Sequence, residues 1–253
     1  MIQSVYTAKL AIIAQQRRVD TIANNIANVN TYGYKNNKVT FKDALYSTLI
    51  RPTGAQNVNL ERGNGVLISA TARSFDDGMP VETGVNLDLC LQGDGFFTVR
   101  NGQGELMYTR NGAFNVSTEA GGNYLVTAQG YYVMDSNLNR IKLPDDLEKL
   151  TVNAAGALSE GALAPFATLN IAAFTNNEGL SAVSENCYMP TPSSGPAGKA
   201  QGIIVKQGFL ESSNVDLAME LTRLIRAQRA FSLASKAVTM GDEMDAAANN
   251  LRT

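Results

Sequence analysis

Enzymatic chemistry draws on imidazoles, paired carboxylates, activated thiols and phosphate-cradling glycines, and this chain offers few of them. None of its 253 residues is His. That removes the Ser-His-Asp triad, the Cys-His pair, histidine metal sites and any imidazole pH switch. Adjacent carboxylates at Asp76 with Asp77 and at Asp145 with Asp146 could share a proton, but both pairs lie in Gly- or Pro-containing loops, where acids are usually solvated. Asp135, Asn137, Asn139 and Asp146 have the spacing of part of a calcium loop. Arg140 stands where the sharp-turn glycine belongs, and Pro144 interrupts the run. The GDGFF run at 93–97 lacks the third glycine of a dinucleotide fingerprint and leads into a strand pattern. Before the GPAGK run at 195–199, Ser193 replaces the first glycine of a phosphate loop, and Ala200 follows where Ser or Thr is needed. Cys90 and Cys187 are too few for a cysteine-only zinc site, and their pairing is left open. The expectation is a non-enzyme with no catalytic, cofactor-binding or metal-binding residues and no cofactor.

Composition narrows the partners. With 21 Lys+Arg against 23 Asp+Glu the net charge is −2, which gives no reason to expect nucleic acid as a partner. No stretch approaches the roughly 20 apolar residues that span a bilayer, and the first residues lack the pattern of a cleaved signal peptide. Charge is uneven, however. Residues 1–45 carry Lys9, Arg17, Arg18, Lys35, Lys38 and Lys42 against Asp20 and Asp43, a net +4. Packing against an acidic neighbouring helix accounts for this better than a nucleic-acid arm.

The elements that would position any site fall into two kinds. From 2 to 28 there is no Gly or Pro. Val5, Ile12, Val19 and Ile26 are spaced seven apart, with Ala8, Gln15, Ile22 and Val29 three residues after them. This is an a/d seam of about four heptads, ~42 Å at 1.5 Å per residue. A second helix is expected from Ser213, with Ser213 and Asp216 as a capping box. Its stripe runs through Leu217, Leu221, Leu224, Gln228, Phe231, Ser235 and Val238 towards Leu251. Such narrow seams need partners, each other or neighbouring copies, and Gln15 and Gln228 read as polar positions that set register. The middle reads as short strands at 86–92, 96–100, 106–109, 113–116, 124–127, 131–134, 150–153, 167–174 and 202–205. Asn101-Gly102 signals a two-residue hairpin. The fold class expected is α+β: terminal helices paired as a coiled-coil inner domain (1–45 and 206–253), an extended linker or flap (46–66), and an antiparallel, sandwich- or barrel-like β domain (67–205).

One run is more specific than any of these patterns. ANNIANVNTYGYK at 23–35, with Asn24, Asn25 and Asn28 on its helical part, resembles the signature of bacterial flagellar rod and hook axial proteins. GDGFF at 93–97, YTRNG at 108–112, LVTAQG at 125–130, QGFLESSNVD at 207–216 and AQRAF at 227–231 resemble the family's later signatures, in order. LYSTLIRPTGAQ at 45–56 resembles the distal-rod member better than the proximal-rod paralogue. The resemblance implies a helical inner domain, a β-rich outer domain, and export by the flagellar type III route without a cleaved signal. It also implies helical self-assembly into a hollow torque-transmitting rod in the basal body. Implied partners are copies of the chain, neighbouring rod and hook proteins, the export apparatus and surrounding ring proteins. A proximal-rod or hook-type paralogue, or a secreted β-rich binding module, are the alternative readings.

Overall fold

The computed structural model describes residues 2–50, 60–119, 121–161, 163–184 and 186–250. Two terminal helices bracket a series of short antiparallel strands, an α+β chain as expected. It divides into two compact units: Met1–Ala27, Asn37–Arg73 and Val215–Thr253 form one, and Asn28–Asn36 with Ser74–Asn214 form the other.

In the first unit, α1 (Ile2–Ala27) runs unbroken through the Gly- and Pro-free segment. Helix α2 (Leu217–Asn250) begins three residues later than a Ser213 cap predicts. The cap is Asp216: its carboxylate accepts the Met219 N–H at 3.0 Å, and its carbonyl accepts the Glu220 N–H at 2.9 Å. An anionic cap also suits the positive end of the helix dipole. The two helices pack together. They run antiparallel, since Val5 lies against Gly241, whereas Thr7, Ala8 and Ala11 share a pocket with Ala234 and Ala237. A Cβ on Gly241 would come within 2.9 Å of Val5 Cγ2, so this crossing depends on the missing side chain.

A two-stranded ribbon, absent from the expected elements, packs on α1. Strand Asn37–Asp43 pairs antiparallel with Val66–Arg73, with a bulge between Thr40 and Phe41. Strands Ser47–Ile50 and Leu60–Arg62 also pair. The expected linker at 46–66 therefore contains a short ladder, and its residues 51–59, with half of the distal-rod-like segment, lie outside the described residues. Leu251, the expected end of the helical stripe, lies outside them too.

The second unit is built from antiparallel sheets. Its largest sheet orders Lys142–Leu143, Gly122–Thr127, Tyr132–Val133, Phe96–Arg100, Leu106–Thr109, Cys187–Met189 and Ser181–Ser184. Strand Phe114–Glu119 pairs with Gly122–Thr127, and Ile171–Ala173 pairs with Phe96–Arg100. The expected strand at 86–92 shortens to Leu89–Gln92, because Asp88 N–H closes a turn onto the Val85 carbonyl. Leu89, Cys90 and Leu91 are all buried, so both faces of this strand are covered. The expected strand at 167–174 splits into Ala167–Thr168 and Ile171–Ala173. The hairpin at Asn101-Gly102 is longer than two residues. Asn101 Oδ1 accepts the N–H groups of Gln103 and Glu105, and Gly104 takes the positive φ of +91°. Two cores result. One gathers Leu89, Leu91, Phe97, Val99, Leu125 and Val133 among others. The other is aromatic, with Phe75, Phe96, Tyr108, Phe174 and Tyr188 in edge-to-face contact. Each such pair contributes ~0.5–1.5 kcal/mol beyond area burial.

Candidate functional site: assembly helices and a buried ionic clasp

Three of the signature runs carry a charged residue that the second unit buries together with the other two. Lys35, Arg110 and Glu211 are each 1% exposed. Glu211 Oε1 accepts Lys35 Nζ at 2.6 Å and the Gly78 N–H at 2.8 Å. Its Oε2 lies 3.4 Å from Arg110 Nη1, which also reaches Asp77 at 3.3 Å. Lys35 Nζ donates further to the carbonyls of Asp76 (2.7 Å) and Phe75 (3.4 Å), and Arg110 Nη2 donates to that of Gly93 at 2.8 Å. The Arg110 guanidinium lies 5.3 Å from the Phe96 ring centroid. Two cations thus face one buried and one half-exposed carboxylate, so the cluster is neutral overall. Burial holds the Lys35 ammonium below the ordinary lysine value, and Glu211 opposes that shift.

Backbone geometry makes the cluster possible. The Gly33 N–H donates to the Glu211 carbonyl at 2.8 Å, and φ at Gly33 is +67°. A Cβ there would meet Asn111 N at 2.7 Å. At Gly78 a Cβ would stand 2.0 Å from the Ser212 carbonyl oxygen. Asn214 closes the ring: its Oδ1 accepts the Asn36 N–H at 2.7 Å, and its Nδ2 donates to the carbonyls of Ser74 and Asp76. Strand Phe209–Glu211 pairs with Pro80–Glu82 on the same segment. Segments near 33–36, 74–78, 110 and 209–214 are thereby clasped into one body, a structural arrangement with no reacting group.

In the first unit, the expected seam of α1 ranges from half-buried to buried. Val5, Ile12, Gln15, Val19 and Ile26 are half-buried and Ile22 is buried. Gln15 Oε1 is buried without a hydrogen-bond partner. Of the three Asn residues, Asn25 is buried and bridges to the ribbon: its Nδ2 donates to the Asn37 carbonyl at 2.8 Å, and its Oδ1 accepts the Asn37 N–H at 3.0 Å. Asn24 is exposed, and Asn28 Oδ1 accepts the Thr31 hydroxyl at 3.2 Å. On α2 the inward row is Glu220, Leu224, Ala227, Phe231, Ala234, Val238, Gly241 and Asp245, spaced four and three apart. Leu224, Phe231 and Val238 belong to the expected stripe. Leu217, Leu221 and Gln228 are exposed instead, so Gln228 sets no register against α1 within one chain. Glu220, Ala227 and Gly241 lie off the expected apolar stripe, because Ala and Gly carry little hydropathy and Glu carries charge.

Other sequence candidates fall away from any chemistry. Cys90 and Cys187 are buried and are not joined in a disulfide, and burial raises the Cys90 thiol to about 11. Asp135 Oδ1 accepts the N–H groups of Asn137 and Asn139, an Asx turn rather than a calcium loop. Among the described residues no group of acidic or thiol side chains is placed to hold a metal ion.

Three family models match in chain order: flagella basal body rod protein over 5–35, flagellar hook protein FlgE/F/G D1 domain over 90–160, and flagellar basal body rod FlgEFG protein C-terminal over 206–251. The chain is 39% identical to the flagellar basal-body rod protein FlgG of Agrobacterium fabrum, covering 91% of this chain and 92% of that one. It is 34% identical to the FlgG of Borreliella burgdorferi, covering 100% and 99%. The chain belongs to the FlgE/F/G family of flagellar rod and hook proteins. A FlgG of Bacillus subtilis matches at 35% over 96% of this chain and 97% of its own. Relatives named FlgG span nearly the whole length, which favours the distal-rod resemblance. This is a structural family, not an enzyme family, and the clasp joins residues contributed by all three matched regions or their edges: Lys35, Arg110 and Glu211.

Proposed function

We propose that the chain is a structural, non-enzymatic subunit of the flagellar basal-body rod, of the distal type, which polymerises helically into a hollow shaft carrying torque to the hook. In this reading the helical termini (1–45 and 206–253) pair as a coiled coil and form the inner polymerisation layer. Residues 46–66 bridge subunits, and the sandwich-like β region (67–205) forms the outer wall. Its partners are other copies, neighbouring rod and hook proteins and, in transit or in place, the export apparatus and ring proteins, with export by the flagellar type III route.

One observation carries the proposal. Helix α2 points Leu217, Leu221, Ile225, Leu233, Met240 and Met244 outward, with Leu233 67% exposed. A subunit that stayed alone would leave this apolar row in water. Covering half-exposed side chains of this size contributes on the order of 1 kcal/mol each, enough over six residues to hold a subunit in a polymer. The inward-facing Val5, Ile12, Gln15, Val19, Ile22 and Ile26 then stabilise the helix pair, while Leu217, Leu221 and Gln228 contact a neighbouring copy. The test is a double substitution, Ile225→Glu with Leu233→Glu. Monomer stability should change by under ~0.5 kcal/mol, as for exposed positions, while tubes seen by electron microscopy in concentrated wild-type protein disappear. Tubes formed by the variant as readily as by wild type would refute the assignment of this face.

A further inference from the structure

The antiparallel register of the two helices sorts charge by height. Val5 lies against Gly241, and each step up α1 is matched by one step back along α2, both at ~1.5 Å per residue. Arg17 and Arg18 therefore stand level with Gln228 and Arg229 and close to Arg226. With Asp20 as the one acid at this height, the four arginines give a band of net +3. None of the four makes an ion pair among the described residues. Arg17 opens onto a groove of about 590 Å³ between α1 and the ribbon, lined by Asp20, Thr21 and Asn24 on the helix side and by Thr71 and Arg73 on the ribbon side. Towards its C-terminus α2 carries Asp242, Glu243 and Asp245 with no base between 237 and 250, a net −3, and these acids too lack ion-pair partners among the described residues.

Within one chain the two bands cannot meet. Glu243 lies 14 residues beyond the level of Arg17, or ~21 Å along the axis, about two screening lengths at 0.1 M salt. Like charge is gathered at one height and its complement at another, a pattern that is unfavourable in a lone subunit and is relieved by a shifted neighbour. We infer that the arginine band of α1 and α2, with its groove, docks the acidic end of α2 from a second copy of this chain, fixing an axial stagger of ~21 Å between the two. The inference rests on the rod-subunit reading and adds to it a specific contact. Apolar rows supply the attraction; the charge bands decide at which height they engage, since a slipped copy sets arginine against arginine.

Cysteine cross-linking tests this in assembled rods. Cys90 and Cys187 are buried, so a chain with Arg17→Cys and Glu243→Cys presents only the new thiols. Disulfide formation needs Cα atoms within ~7 Å, so a bond between these positions must join two molecules. Oxidation of isolated basal bodies is expected to give a ladder of homo-multimers, and either substitution alone only dimers or monomers. In parallel, Arg17→Glu with Arg18→Glu, or Asp242→Arg with Glu243→Arg, should reduce assembly at least tenfold at low salt. Combining both reversals should restore it. Rods that contain the double-cysteine chain but yield no ladder, or reversals without effect, overturn the charge docking. A product linking this chain to a different axial protein overturns it as well. Absence of the chain from basal bodies would instead refute the rod-subunit reading.

Discussion

Glu211 is the hub of the clasp, and the arrangement of its partners ranks the consequences of removing each charge. Lys35→Met deletes one cation but leaves Glu211 paired with Arg110 at 3.4 Å and bonded to the Gly78 N–H, and the surplus negative charge falls to half-exposed Asp77, where water screens it. Glu211→Gln leaves Lys35 and Arg110, both 1% exposed, facing only Asp77, whose side chain is 47% exposed. Breaking a buried pair costs about 3–5 kcal/mol. The geometry puts Lys35→Met near ~3 and Glu211→Gln near ~5. If the two were independent, the double variant would lose ~8 kcal/mol, much of the 5–15 kcal/mol of a typical domain. Instead, removing both members deletes the uncompensated charge, and a loss of ~3–4 kcal/mol is expected, a coupling of about 4 kcal/mol. The assay is urea unfolding followed by tyrosine fluorescence. The chain has no Trp, and Tyr108 and Tyr188 sit in the aromatic core beside Phe96, over which Arg110 lies. A loss under ~1 kcal/mol for Glu211→Gln, a milder effect for it than for Lys35→Met, or an additive double variant would each refute the clasp. Lys35→Met keeps the measurement readable should Glu211→Gln fail to fold.

The turn that delivers Lys35 is equally testable. Gly33→Ala places a Cβ 2.7 Å from the Asn111 nitrogen at φ +67°, and should cost at least ~3 kcal/mol in the same assay, with the loss carried by the second unit. Because the Cys90 thiol is raised to about 11 by burial, the folded protein keeps its proton where the unfolded chain, near 9, gives it up. Stability from this group is complete below about pH 9 and falls by ~1.4 kcal/mol per pH unit up to about 11. A Cys90→Ala variant should therefore show a shallower alkaline decline than wild type, and wild-type Cys90 should resist alkylation at pH 8 unless urea is added.

The parts legible from sequence are those with local or strongly typed signals. Helix α1 announces itself through 26 residues without Gly or Pro, and the short strands through alternating apolar runs. The ribbon of Asn37–Asp43 and Val66–Arg73 has a weaker signal: Val39 and Phe41 alternate with Lys38, Thr40 and Lys42 over only five residues, and the row they form is half-buried. The clasp was missed for another reason. Lys35, Arg110 and Glu211 are separated by 75 and 101 residues and share no periodicity, so only three-dimensional pairing relates them. Each nonetheless lies in one of the signature runs at 23–35, 108–112 and 207–216, and two cations with one acid in such runs form a complementary set.

Helix α2 shows most clearly why hydropathy alone misjudges an assembling chain. Two heptad rows share Leu224, Phe231 and Val238. One adds Leu217, Leu221, Gln228 and Ser235; the other adds Glu220, Ala227, Ala234, Gly241 and Asp245. Reading for apolar content selects the first row, yet the chain turns the second one inward. Small residues explain the choice, since Ala227, Ala234 and Gly241 let α1 approach closely, and Val5 already fills the space that a side chain at 241 would need. The larger residues are then left for the opposite side. A helix serving one core would waste Leu, Ile and Met on water, whereas a helix set between α1 and a neighbouring subunit has two faces to cover. In the proposed rod assembly, small residues on the intrachain contact and large ones on the outward face give the weaker, concentration-dependent contact the greater apolar area. That division of area favours the polymer over the isolated subunit.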